Sequence, residues 1–184
     1  SAKMVTGSNF LITTDKSKIL VDCGMFQGSN EIEKMNFLDF PFDPKEINFL
    51  ILTHSHIDHS GRIPKLVKDG FRGRIISTKA TRDLCEIMLK DSANIQESDA
   101  RWENKKRIRA GLPEVEPLYT TADAEASLKY FEPYYYNQDI NIGDDISIRF
   151  KDAGHILGSS ILELWVKEGV SNTKIVFSGD LGMP

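Results

Sequence analysis

The sequence predicts a layered α/β protein containing mixed sheets, and three observations carry that prediction. Short apolar runs alternate with helical spacings in the first half of the chain. Strictly alternating apolar residues dominate the second half. The 184 residues contain no internal repeat, low-complexity tract or Pro/Gly-rich linker. Continuous runs suit strands covered on both faces, alternation suits half-buried antiparallel strands, and intervening helices are what cover a parallel sheet. At this length one domain over residues 1–184 is expected, large enough to hide about 68–70% of the surface its unfolded chain exposes.

Taken in order, Phe10–Thr14 and Lys18–Asp22 are apolar runs split by Asp15–Ser17, which reads as a hairpin. Asn48–Thr53 is nearly continuous and apolar, a strand buried on both sides. Ile63, Leu66 and Val67 fall at helical spacing, and Gly70 stops that helix. Arg74–Thr78 is a strand, and Ala80–Glu97 a longer helix whose apolar face includes Leu84, Met88 and Ile95. Gly111-Leu-Pro113 breaks the chain, and Ala122–Phe131 returns to helical character. Ile146, Ile148 and Phe150 alternate, as do Leu162, Leu164 and Val166, and Lys174–Phe177 closes as a short strand.

Composition bounds the function. Hydrophobic residues at 40% and charged residues at 27% exclude a disordered chain. A net charge of −4 argues against a strongly basic nucleic-acid module. No apolar run approaches the ~18 residues of a membrane helix. Two cysteines are too few for a disulfide framework, so a reduced, cytoplasmic setting is expected, with Cys23 and Cys85 as buried thiols.

The chemistry concentrates in the histidines. There are four, and three lie in six residues, His54-Ser55-His56-Ile57-Asp58-His59, directly after the Asn48–Thr53 run. Imidazoles and a carboxylate on a loop crest are a ligand set that zinc takes and that manganese or iron also accepts. His155 stands in Asp152-Ala-Gly-His155-Ile-Leu-Gly158-Ser159, again after a strand, with glycines on both sides that let the backbone bend sharply. Asp180, in Phe177-Ser-Gly-Asp180-Leu-Gly182, and Asp22, in Ile19-Leu-Val-Asp22-Cys-Gly24, end two further strands. A lone histidine on an apolar segment is more often a core residue, and either aspartate alone fits a turn. All four histidines at strand ends, where open α/β sheets place ligands, favour a metal centre.

These residues resemble the motifs of the metallo-β-lactamase superfamily. Asp22 corresponds to its first motif, His54-x-His56-x-Asp58-His59 to its second, His155 to its third and Asp180 to its fourth, and the resemblance covers nearly the whole chain. True β-lactamases commonly carry cysteine at the fourth position; Asp180 is similar to nucleases and glyoxalase-type thioesterases. Val5-Thr-Gly-Ser8, Ala80-Thr-Arg-Asp-Leu84, Met88-Leu-Lys-Asp-Ser92 and Asp152–Ser159 resemble the RNA-processing β-CASP branch. The resemblance implies an αββα sandwich of mixed sheets, a β-CASP domain inserted after the fourth motif and a later return to the first domain. The chain is therefore expected to be an N-terminal portion, with Ser1-Ala2 at the end of a first strand and Pro184 just before the insertion.

The same resemblance implies roles. His54, His56 and His155 bind one metal, Asp58 and His59 hold a second, and Asp180 bridges them. Two zinc ions are expected, with manganese or iron as alternatives, and the first position is expected to bind more tightly. Asp58 and Asp22 are the candidate catalytic carboxylates: Asp58 accepts or orients the proton of the attacking water, and Asp22 fixes a ligand imidazole by accepting its other N–H. The implied activity is a metal-dependent RNA phosphodiesterase attacking with a metal-bridged hydroxide. The family's leaving-group acid is a histidine from the later region, and all four histidines here are ligands. The chain alone is therefore expected to cleave RNA poorly, and apolar surface meant for the return segment favours self-association into a homo-oligomer.

RNA is the implied partner, and no membrane is. Arg101, Lys105, Lys106, Arg107 and Arg109, opposed only by Glu103, give a local charge of +4 that could follow a phosphate backbone, although a solvated helix face is the commoner use. A small-molecule metallohydrolase of thioesterase or lactonase type also fits, because the same centre attacks a carbonyl. So does a non-catalytic metal-binding domain, although inactive relatives usually lose ligand residues and this chain has all four motifs.

Overall fold

Strand β2 (Lys18–Val21) shows how the first sheet is built. Its neighbours are β1 (Phe10–Thr13), antiparallel, and β3 (Phe49–Ile51), parallel; β4 (Arg74–Thr78) and β5 (Phe131–Tyr134) continue the parallel series. Leu20, Leu50 and Ile75 turn to one side and pack with helix residues, whereas Ile19, Val21, Ile51 and Ile76 turn to the other and pack on a second sheet. The unbroken apolar runs are thus the signature of strands with no solvent face. The computed structural model describes residues 5–183, so the expectations for Ser1-Ala2 and for Pro184 lie outside the described residues.

The second sheet is an antiparallel meander of β6 (Ile140–Asn141), β7 (Ile146–Asp152), β8 (Ser160–Glu168) and β9 (Ser171–Phe177). Ile148, Phe150, Leu162 and Leu164 face the first sheet and are fully buried. Between them, Arg149, Glu163 and Trp165 face outward, with the Arg149 guanidinium 5.3 Å and the Lys174 amine 5.0 Å from the Trp165 ring centre. Only the first sheet is mixed. The helices that bury side chains in a core do so on its outer side: α3 (Ile63–Lys68), α4 (Lys79–Arg109) and α5 (Thr121–Leu128). The described residues therefore supply a helical layer and two sheets.

Several elements depart from the sequence expectation. Helix α4 runs to Arg109 rather than Glu97, about 46 Å at 1.5 Å per residue. Its buried stripe is Thr81, Cys85, Leu89 and Ala93, one residue per turn, while Ile95 is exposed. The stripe packs against α5 and strands β4 and β5, and past Ala93 the helix has no buried residue. Leu112 N–H bonds Arg107 O across Gly111, whose φ of 69° is the left-handed stop a glycine allows. The expected helix to Phe131 ends at Leu128, and Phe131 instead opens β5, where Pro133 is tolerated because the strand is a sheet edge. The last strand begins at Ser171, earlier than Lys174. A short helix α1 (Asn30–Lys34) and strand β6 carried no sequence signal strong enough to find. Among the described residues, no helix is long and apolar enough to cross a membrane.

Candidate metal centre

The four acid and histidine sites sit where the strands end. Asp22 follows β2, which ends at Val21; His54 comes three residues after β3, His155 three after β7 and Asp180 three after β9. The second motif is not a simple loop crest. His56 caps a one-turn helix α2 (Ile57–Ser60), so Asp58 and His59 are carried on helical backbone.

Backbone bonds lock these ends together. Ser8 N–H bonds Asp58 O (2.9 Å), Gly24 N–H bonds Ser8 O (2.9 Å), and Cys23 N–H bonds His59 O (2.8 Å). A Cβ at Gly24 would lie 1.6 Å from Asp58 O, so only glycine lets this segment run against α2. Ser160 bonds Thr53 O with both its N–H and its hydroxyl at 2.9 Å, tying the His155 loop to the His54 loop. Gly182 N–H bonds Ala153 O (2.9 Å), and a Cβ there would lie 1.7 Å from Gly154 O, which brings the Asp180 loop against the same turn.

Three imidazole nitrogens converge as a result. His56 Nδ1 is 3.1 Å from His54 Nε2 and 3.2 Å from His155 Nε2. Asp180 Oδ2 stands 3.8 Å from His54 Nε2 and 3.7 Å from His155 Nε2. Its other oxygen, Oδ1, stands 3.3 Å from His59 Nε2, which is itself 3.7 Å from Asp58 Oδ2. His54, His56, His155 and Asp180 form one possible ligand group, and Asp58, His59 and Asp180 a second. All six residues expected at the metal centre are thus brought together.

Asp22 works from behind. It is 2% exposed and adopts φ 58°, a left-handed turn that aspartate tolerates better than most residues. It accepts from Thr53 N–H (2.8 Å), from Thr53 Oγ1–H (3.0 Å) and from His59 Nδ1–H (2.8 Å). A carboxylate only accepts here, so His59 carries its proton on Nδ1 and turns a lone pair on Nε2 toward Asp180. Thr53 gives its single proton to Asp22 and therefore accepts from His54 Nδ1, 3.1 Å away, leaving His54 Nε2 with its lone pair facing His56. Thr53 is a functional residue that sequence reasoning missed. Its signal was slight: a hydroxyl immediately before His54.

Electrostatics follow. Burial, aided by the nearby His59, His56 and His155, pushes the His54 imidazole down to about 3. Burial is also the largest single influence on His59 and lowers it, but the hydrogen bond and charge of Asp22, with Asp58 and Asp180, outweigh burial and hold it above its ordinary value. Burial pushes the Cys23 and Cys85 thiols up to about 12, which makes them structural rather than reactive. The basic residues of the 101–109 segment lie on the distal half of α4, outside the cluster; there Arg101 pairs with Glu97 and the Lys106 amine sits 3.2 Å from the Trp102 ring centre. The solvated-face reading describes them.

A donor set with three lone pairs converging on one point suits a cation and little else, and the cluster supports a divalent metal. The family model described as the metallo-beta-lactamase superfamily matches residues 4–184. Ribonuclease TTHA0252 of Thermus thermophilus is 37% identical over 182 residues, 99% of this chain and 36% of that protein. The transcription termination factor FttA of Methanosarcina mazei is 36% identical over 180 residues, 97% of this chain and 26% of that protein. The chain thus spans little more than a third of the length of one relative and about a quarter of the other. A subclass B3 metallo-beta-lactamase of Bradyrhizobium japonicum superposes with a TM-score of 0.53 at 20% identity, covering 94% of this chain and 55% of that one, a likeness of fold.

Proposed function

The chain belongs to the metallo-beta-lactamase superfamily, and on that premise we propose that the complete protein is a metal-dependent RNA phosphodiesterase of the β-CASP branch, loaded with two zinc ions. The observation that carries this reading is Asp180, whose Oδ2 faces the nitrogens of His54 and His155 and whose Oδ1 faces His59 Nε2 beside Asp58. One carboxylate between two such clusters is suited to join two cations. The names of the relatives, a ribonuclease and a transcription termination factor, support RNA over a small carbonyl substrate.

The residues fit zinc. Nitrogen bonds of about 2.0–2.1 Å in a tetrahedron place neighbouring ligand atoms about 3.3 Å apart. The observed separations of 3.1, 3.2, 3.7 and 3.8 Å straddle that value. His54, His56, His155 and Asp180 would hold one ion, and Asp58, His59 and Asp180 the other. When bound, such ions polarise phosphoryl oxygens and lower the pKa of water.

The chain's own residues do the rest. Asp22 is a positioning residue: it orients His59 directly and His54 through Thr53, and its burial keeps it from substrate. Asp58 is the carboxylate placed to accept or orient a proton at the nucleophile. All four histidines of this sequence are assigned as ligands, and the resemblance assigns the proton for the leaving oxygen to a histidine of the family's later region. Residues 1–184 form the N-terminal portion of the lactamase-like unit, and a cytoplasmic location suits an enzyme acting on RNA.

The test is the complete protein, stripped and reloaded with zinc or manganese, incubated with labelled single-stranded RNA and in parallel with thioesters and lactones. Metal-dependent RNA cleavage is expected. Turnover of the carbonyl substrates without RNA cleavage would overturn the reading.

The two ions should leave in order as pH falls. His59 must be neutral at Nε2 to bind, and its raised pKa lets protons compete from above pH ~6.5 downward. His54, by contrast, stays neutral down to about 3. Metal per chain after dialysis between pH 8 and 5 should fall from two toward one first. Loss of both ions together would refute the ordering.

A further inference from the structure

Beside the metal centre lies a groove of about 300 Å³ that no part of the mechanism uses. It is lined by Tyr135, just past the end of β5, by Leu157, in the His155 loop, and by Lys79, Ala80 and Asp83 at the start of α4. Tyr135 is 63% exposed and Leu157 72% exposed, so neither ring nor isobutyl group serves a core among the described residues.

We propose that this groove is a nucleobase subsite, in which a base flanking the scissile phosphodiester stacks on Tyr135, with Leu157 as a second apolar contact. The inference rests on the RNA reading above and adds where the strand is gripped. Charge selects a base over a phosphate. The lining holds one cation, Lys79, and one carboxylate, Asp83, whose Oδ1 is paired with Arg82 at 3.1 Å and whose Oδ2 is left for a ligand. An anion would meet Asp83, whereas the exocyclic amine of a base gives Asp83 a hydrogen bond and leaves Lys79 for the strand's backbone. An aromatic face with one neighbouring cation is how single strands are held without strong sequence preference.

The groove is rigidly coupled to the metal residues. Leu157 is two residues from His155, within ~7 Å along the chain. Gly158 O accepts from Thr78 Oγ1 (2.7 Å) and Thr81 Oγ1 (2.8 Å), and a Cβ at Gly158 would come within 2.6 Å of Thr81 N. The α4 end of the groove is therefore pinned to the His155 loop. Tyr136, also in the lining, donates to Ser159 O (2.8 Å), and the Ser159 hydroxyl accepts from His155 N–H (3.1 Å). A base seated here has a fixed offset from the cleavage point.

The experiment uses the complete, zinc-loaded protein and a set of short single-stranded RNAs, each with one abasic nucleotide at one of the two positions on either side of the cleaved bond. Tyr135→Ala should raise KM about tenfold to a hundredfold for intact RNA, with metal content unaltered. At one abasic position the same loss should appear in the wild type, and Tyr135→Ala should then add nothing. Tyr135→Phe, which keeps the ring, should restore the affinity. RNA cleavage indifferent to Tyr135→Ala, or an equal penalty from Tyr135→Ala at every abasic position, would overturn the subsite alone. A wild type that cleaves no RNA would overturn the function reading and the subsite with it.

Discussion

Asp180→Asn in the complete protein is expected to lower RNA cleavage about 10³-fold or more while leaving the fold intact. The carboxylate is 43% exposed, so the core loses nothing. What is lost is the negative charge placed between His59 Nε2 at 3.3 Å and the His54–His155 pair at 3.8 and 3.7 Å. An amide keeps one weaker oxygen and turns an NH₂ donor toward one of the two groups, which repels a cation there. A metal pair supplies several kcal/mol of transition-state stabilisation, and about 1.4 kcal/mol is tenfold in rate. Metal content by elemental analysis should fall from two toward one, with an unchanged melting curve for the stripped protein. Full metal content together with activity within tenfold of wild type would show that Asp180 does not join two ions.

Asp22→Ala should cause the largest loss of stability of any single change at the site. Removing the carboxylate strands the buried Thr53 N–H and the His59 Nδ1–H, each costing about 1–3 kcal/mol when unsatisfied. Alanine at φ 58° adds backbone strain that aspartate bears more easily. A combined cost of about 2–4 kcal/mol corresponds to a melting point lower by roughly 5–15 °C in a chain of this size. Asp22→Asn separates the two roles. It keeps an acceptor for Thr53 and tolerates the left-handed turn, so its melting point should drop less. Its weaker hold on His59 should still cost about 10–100-fold in metal affinity at the second position, as orienting groups behind a ligand typically do. Calorimetric titration with zinc reads this directly; two unaltered binding events in Asp22→Asn would remove Asp22 from the positioning role.

Much of this molecule was legible without coordinates because its chemistry is tied to strand ends. Apolar periodicity encodes strands locally, and a residue just past a strand must emerge at the sheet's edge. Asp22, His54, His155 and Asp180 are each such a residue, and the spacing of His54, His56, Asp58 and His59 marks the densest stretch. The buried Cys23 thiol was legible from strand alternation, which turns it to the face opposite its neighbour Asp22. Helix α4 was legible in kind but not in extent or face. Its stripe of Thr81, Cys85, Leu89 and Ala93 is chosen by packing against α5, β4 and β5, and hydrophobicity alone points instead to residues such as Ile95, which stays in solvent.

By itself the sequence determined the ligand identities and the strands that carry them, since both are properties of short contiguous segments. Only the tertiary structure decided how those segments meet. His155 reaches His56 across 99 positions of chain, through loops held by Ser160, Gly24 and Gly182 whose contacts no periodicity encodes. The tautomers of His54 and His59 follow from Asp22 and Thr53, which adjoin neither β9 nor the His155 loop in sequence. The turn of Phe131 from helix to edge strand, and with it the placement of Tyr135 beside α4, came from pairing with Ile75–Thr78. Convergence of this kind is a sum of backbone hydrogen bonds and close approaches between distant segments, and it exists only once the two sheets have packed.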